Sequence, residues 1–208
     1  MTDIKITELV AISPLAETDI LPIISNPLGA PVTEKVTLKE ILDKRLNYSI
    51  QRADSFSLGT GTTAQSAFPT TGDVFTLAGS TTYKMEGLYL IEKSGTSCTV
   101  GLAFAMGGGT TITSMKYVAQ GANTAKNTSA ATQFSAWVDR VTATVVTPTA
   151  STDTYIKFSG IVRMNVGGTV TPQVIFSAAP TTPIMVADSF IQFTPIGTDT
   201  ENVMGAVS

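Results

Sequence analysis

The chain has no histidine and a single cysteine, and these two counts bound its chemistry before any fold is considered. Without histidine there is no Ser-His or Cys-His pair, and both the commonest general base near neutral pH and the commonest zinc ligand are missing. One cysteine excludes a disulfide within the chain and any Cys-rich zinc site. With nothing to activate its thiol, Cys98 in "SGTSCTVGLAF" reads as a small apolar core side chain. A glycosidase could still work with carboxylates alone, which need a pair roughly 5–10 Å apart. The candidates Glu86, Glu92, Asp139, Asp153, Asp188, Asp199 and Glu201 are spread over different expected strands and loops, so no pair can be chosen.

Two glycine- or acid-containing segments also fail as sites. "MGGGTTI" (106–112) has the glycines of a phosphate loop without the Gly-Lys-Ser/Thr ending, and reads as a strand connection. "TDTENV" (198–203) lacks the spaced acids and closing Glu of a calcium loop. Trp137, the only tryptophan, alternates with Val141, Ala143 and Val145 and is expected in the core; its alternative role is a sugar-stacking platform. The expectation is a protein that is not an enzyme and holds no cofactor or metal.

The elements that would carry a site follow from composition. At 208 residues and 43% hydrophobic, the chain suits one domain plus an appendage. Charged residues are only 14%, against a usual share of roughly a quarter. Thr, Ser, Gly and Ala are abundant, as in β-rich structural proteins. A net charge of −3 and 13 scattered Lys and Arg leave no basic face for nucleic acid. The start "MTDIKITELV" lacks a signal-peptide pattern, and no run nears the roughly 18 apolar residues of a membrane span, so a soluble, cytoplasmically made protein is expected.

Residues 1–56 read as an N-terminal arm. Pro14, Pro22, Pro27 and Pro31 push the residues before them to extended geometry, so "DILPIISNPLGAP" should cross a surface as an open strand. The arm carries one short helix at about 38–46: Thr37 and Glu40 form a capping box, and Leu38, Ile41, Leu42 and Leu46 recur at helical spacing. So short a helix must dock on something. Residues 57–73, rich in Gly, Thr and Ser, read as a linker.

The body, 74–208, shows period-2 segments at 83–92, 97–106, 111–119, 132–146, 154–166, 169–177 and 189–196. In "TYIKFSGIVRMNV", Ile156, Phe158, Val162, Met164 and Val166 alternate with polar residues, as in a half-buried antiparallel strand. Gly160 on the apolar row marks a close neighbour. "VGGT" (166–169) predicts a hairpin pairing the strands on either side. Pro172 predicts an edge or bulged strand. The fold class is mainly β: an antiparallel jelly-roll sandwich with an extended N-terminal arm and one short helix.

"ITEL" (6–9), "DILPI" (19–23) and "TEKVTLKEIL" (33–42) together resemble the N-terminal attachment segment of tailed-bacteriophage fibre and head-decoration proteins. "GIVRMNVGGTVTPQVIFSAAP" (160–180) and "SFIQFTPIG" (189–197) are similar to the last strands of tumour-necrosis-factor-like jelly rolls that form trimeric phage knobs. The resemblance implies a homotrimeric virion surface protein, made in the bacterial host, that decorates or cements the capsid. Its partners would be copies of itself and the major capsid protein, or a tail or neck protein. The alternative is a short tail fibre or adhesin whose knob binds a host-surface glycan or protein. Anchoring falls to Ile20, Leu21, Pro22, Ile23, Ile24, Leu28, Val32, Leu38, Ile41 and Leu42; full burial of such large apolar side chains is worth ~1.5–3 kcal/mol each. Ligand contacts are expected on loops near 107–110, 120–131 and 147–153, with Gly108, Asn123, Asn127 and Thr149 as candidates.

Overall fold

A computed structural model describes residues 20–25, 32–37, 48–69, 73–125, 132–139 and 141–200. The chain divides into two compact units, Met1–Leu46 and Asn47–Ser208. In the first, β1 (Ile20–Ser25) and β2 (Val32–Thr37) form an antiparallel ladder with Ile20 opposite Thr37 and Ser25 opposite Val32. The open strand expected from the prolines is therefore paired. The reason is local: both segments are rich in β-branched residues, and pairing satisfies their backbone groups. Pro22 is tolerated because every strand of a two-stranded ladder is an edge. The expected helix at 38–46, with Leu38, Ile41 and Leu42, and the anchor residue Leu28 lie outside the described residues.

The second unit is a β sandwich of two antiparallel sheets. Its strands are β3 (Tyr48–Gln51), β4 (Phe56–Ser57), β5 (Gln65–Ser66), β6 (Phe75–Leu77), β7 (Thr81–Ser94), β8 (Val100–Gly107), β9 (Thr111–Asn123), β10 (Thr132–Asp139), β11 (Thr144–Val145), β12 (Thr154–Val166), β13 (Gly168–Phe176), β14 (Thr181–Met185) and β15 (Phe190–Thr198). The larger sheet runs β10, β9, β12, β7, then β14 and β15 end to end along β7, with β4 and β3 outside them. The smaller runs β11, β8, β13, then β5 and β6 end to end. No helix occurs among the described residues.

Three short strands come from residues expected in the arm or linker. β3 pairs β15, β4 pairs β14 and β5 pairs β13, so 48–69 is built into the body. The loop-like composition of 57–73 hid this, because a two-residue strand leaves no periodicity to detect.

Two further expectations change because adjacent segments belong to different sheets. The run 132–146 is not one strand: β10 joins the larger sheet and β11 the smaller. Likewise β12 and β13 do not pair across "VGGT"; the chain switches sheets there. A Cβ on Gly167 would lie 2.6 Å from the Gly79 nitrogen, so the two glycines allow a close backbone crossing. Pro172 lies in an interior strand, opposite Phe104 of β8. On its other side Ala67, just after β5, donates to the Pro172 carbonyl (3.0 Å), so the missing N–H removes only the reciprocal bond at the end of that short ladder.

The inner faces form the core. Ile156, Phe158, Val162 and Met164 of β12 are buried as expected, while Val166, at the strand's end, is exposed. Gly160 meets the backbone of Lys116 and Tyr117, which is the close neighbour expected there. Edge-to-face rings cross the core from Phe68 to Tyr89 (5.6 Å), Phe158 (5.0 Å), Tyr117 (6.3 Å) and Phe104 (6.1 Å). A side chain at Gly87 would collide with the Phe158 ring, so this glycine makes room for the central ring. Burial raises the phenol of Tyr117 to about 12 and that of Tyr89 further still.

Candidate functional site

Two of the three expected ligand loops meet, with Asn123 bonded to Pro148, and the third stands apart. Gly108 lies in the exposed turn after β8, beside the end of β12, where Val166 pairs with Thr111. Asn123 and Thr149 lie at the opposite end, where Asn123 pairs with Thr154. The 13 residues of β9 between those ends span roughly 40 Å. Asn123 is also buried, with its amide donating to the Pro148 carbonyl (3.1 Å) and its oxygen accepting from Thr154 Oγ1 (2.8 Å). It is a structural residue rather than an open ligand contact. Thr149 is exposed, and Asn127 lies outside the described residues.

The carboxylates are engaged separately. Glu86 pairs with Lys84 (2.9 Å) and accepts from Gln192 (3.1 Å); the hydrogen bond from Lys84 is the main cause holding its carboxyl below the usual range. Asp139 pairs with Lys116 (3.6 Å). Glu86 on β7 and Asp139 on β10 stand three strands apart, roughly 14 Å, beyond the spacing of a glycosidase pair. Asp153 accepts from the Lys93 backbone N–H (3.2 Å). Asp188 lies in the turn before β15 and Asp199 just after that strand, while Glu201 is outside the described residues. No group of three or more metal-ligating side chains occurs among the described residues. Cys98 is fully buried, and burial raises its thiol pKa, in keeping with the core role expected for it.

Trp137 overturns the expectation of a core residue: it is 74% exposed. Its assignment to the core assumed one strand over 132–146. Because the chain leaves the larger sheet after β10, the inward row of that strand is Phe134, Ala136 and Val138. Trp137 falls on the other row with Gln133, Ser135 and Asp139.

This outward row continues across the sheet. Trp137 is opposite Val118 of β9, and Val118 opposite Ser159 of β12. The next row is Ser135, Gln120 and Lys157; the one beyond is Gln133, Ala122 and Tyr155. A depression of about 550 Å³ is lined by Gln120, Gln133, Ser135, Tyr155 and Lys157. On the far side of Trp137, Val138, Ala143, Thr144 and Val145 line a second concavity of about 510 Å³. The depression thus brings an amine, two amides, a hydroxyl and a phenol together beside an exposed indole.

The alternation of "QFSAWVD" carried this signal. Read from Phe134 instead of from Val145, the segment puts Trp137 outside. No protein family, no curated protein and no solved structure matches the chain.

Proposed function

We propose that this is a non-enzymatic structural protein of a tailed-phage virion, a homotrimeric capsid decoration or cement protein whose N-terminal unit is its anchor. The observation that carries the reading is the division between Leu46 and Asn47. The segments resembling a phage attachment sequence all fall within the first unit, which has its own ladder, while the body has its own core. Two strand orders support the jelly-roll reading: β3 and β4, β15 and β14, β7, β12 in one sheet, and β5 and β6, β13, β8, β11 in the other. In this reading β9 and β10 are an added hairpin, antiparallel to each other and extending the larger sheet past β12. Val166 and Ile196, exposed near the start of β7, offer apolar surface for subunit contact.

Deletion of residues 1–46 tests the anchor. The truncated chain is expected to keep a cooperative unfolding transition and to stop co-sedimenting with particles. Undiminished co-sedimentation would refute the anchoring role. A monomeric mass for the full chain by light scattering at micromolar concentration would remove the trimer.

Exposed Trp137 favours a second reading, a short tail fibre or adhesin whose body binds a host-surface glycan. Blocking of phage adsorption by the isolated protein would support it over decoration.

A further inference from the structure

We propose that the outer face of the larger sheet, between Trp137 and Tyr155, binds an oligosaccharide. The inference rests on the adhesin reading and moves its ligand from the loops to the strands. Gly108 lies at the opposite end of the sandwich from Asn123 and Thr149, and Asn123 is committed to its neighbours.

The face between the rings has the chemistry a sugar requires. A pyranose ring has an apolar C–H face, which stacks on an indole or phenol, and an equatorial belt of hydroxyls that both donate and accept hydrogen bonds. Trp137 (74% exposed) and Tyr155 (39% exposed) supply the rings. Their strands are two apart, and Tyr155 is four residues along β12 from Ser159, which shares the Trp137 row. Two strand spacings are roughly 10 Å and four residues roughly 13 Å, so the backbone positions that carry the rings are separated by about 16 Å. That span suits a chain of several sugar units and exceeds a single one.

Between and beside the rings, Gln120, Gln133 and Ser135 present groups that both donate and accept, and Lys157 adds a donor. The depression of about 550 Å³ is within the range of small-ligand sites. A second copy of the chain is the weaker occupant. The buried centre of a protein interface is depleted of charged side chains, whereas here amides and a lysine occupy the middle and the rings its margins. Among the described residues, Lys157 is the one cation lining the depression, and it suits the hydroxyls of a neutral sugar as well as an acidic group, whereas Lys84 and Lys116 are paired with Glu86 and Asp139.

Trp137 is the chain's only tryptophan, so its emission reports on this face alone. The full chain is titrated with maltohexaose, cellohexaose and chitohexaose, reading emission and, independently, heat by calorimetry. Saturable quenching or a blue shift with at least one hexasaccharide is expected. Trp137→Ala and Tyr155→Ala, both at exposed positions, should leave the circular dichroism unchanged and weaken the heat-detected affinity roughly tenfold each.

Heat of binding with unchanged emission, and full affinity in both variants, would overturn this site while leaving the adhesin reading intact. The absence of both heat and emission change with all three hexasaccharides would overturn the site and the glycan reading together. An emission shift on simple dilution, matched by a falling mass in light scattering, would assign the face to a second copy and also overturn the proposal.

Discussion

At one end of the sandwich the chain turns on glycines; at the other it turns on buried polar side chains. The glycine end joins β8 to β9 and β12 to β13, both of which switch sheets. Gly108 and Gly109 have φ of 65° and 75°, and the Thr110 N–H closes the turn on the Gly107 carbonyl at 3.2 Å. Gly167 passes so near Gly79 that neither has room for a side chain. The polar end holds the 146–153 connection, most of which lies outside the ladders. There Thr147 Oγ1 accepts from the Val100 N–H (2.8 Å), Asn123 holds Pro148, and Lys93 Nζ donates to the Ala150 carbonyl (2.6 Å). Lys93, Asn123, Thr147 and Thr154 are all buried. A short crossing is closed by removing atoms, whereas a longer connection must be held by adding hydrogen bonds.

The sharpest way to break this contrast is Gly167→Ala. Its Cβ would face the Gly79 nitrogen at 2.6 Å and the Leu77 carbonyl oxygen at 2.9 Å, both backbone atoms that cannot rotate away. A loss of about 3 kcal/mol in urea unfolding is expected. A neutral result would mean that this crossing is not sterically fixed. Asn123→Ala tests the other end. It leaves the buried Thr154 hydroxyl without its acceptor and the Pro148 carbonyl with Thr147 Oγ1 as its remaining donor, and should cost about 2 kcal/mol, with hydrogen exchange rising in the 146–153 segment first.

Gly109→Ala separates crowding from conformation within the glycine end. Nothing lies within 4 Å of its Cβ position, so only the positive φ penalises alanine, at about 1 kcal/mol. A loss as large as that for Gly167→Ala would show the distinction to be false.

The smallest effect is a pH dependence at the polar end. Burial lowers the Lys93 pKa, while nearby Cys98 and Asp153 act in the opposite sense. The unfolded chain therefore holds more protons between the lowered folded value and the ordinary value of 10.5, and this residue's contribution to stability rises with pH across that window. Tyr89 and Tyr117 work the other way above pH 10, because their folded values are raised. Comparing the urea midpoints of wild type and Lys93→Met from pH 8 to 10 reads the lysine together with Cys98, whose raised thiol pKa rises further without the lysine and so acts in the same direction. The wild type should gain on the variant as pH rises; parallel curves would mean that Lys93 stays fully solvated.

How much could be read in advance depended on whether the signal was local. Alternation in β12 identified four of its core residues and the crowded Gly160, because the period of a strand lies within its own sequence. Turn chemistry at "VGGT" suggested a hairpin where the chain instead switches sheets, since glycines permit both. The candidate site was missed for the same reason. Phe134, Ala136 and Val138 pointed inward as legibly as Ile156 and Phe158, but continuing the strand to Val145 placed Trp137 on the wrong row.

The sequence by itself determined that the body is a β protein, that Cys98 is a core residue rather than an exposed thiol, and which residues of the long central strand β12 point inward. These depend on composition and on a two-residue period, which neighbours along the chain set without reference to anything distant. Only the tertiary structure decided which sheet each strand joined, that 48–69 belongs to the body, and that Trp137 stands in solvent beside Gln120, Lys157 and Tyr155. Those outcomes depend on pairing between residues tens of positions apart, where burial of the whole inner face, rather than any local preference, fixes the register.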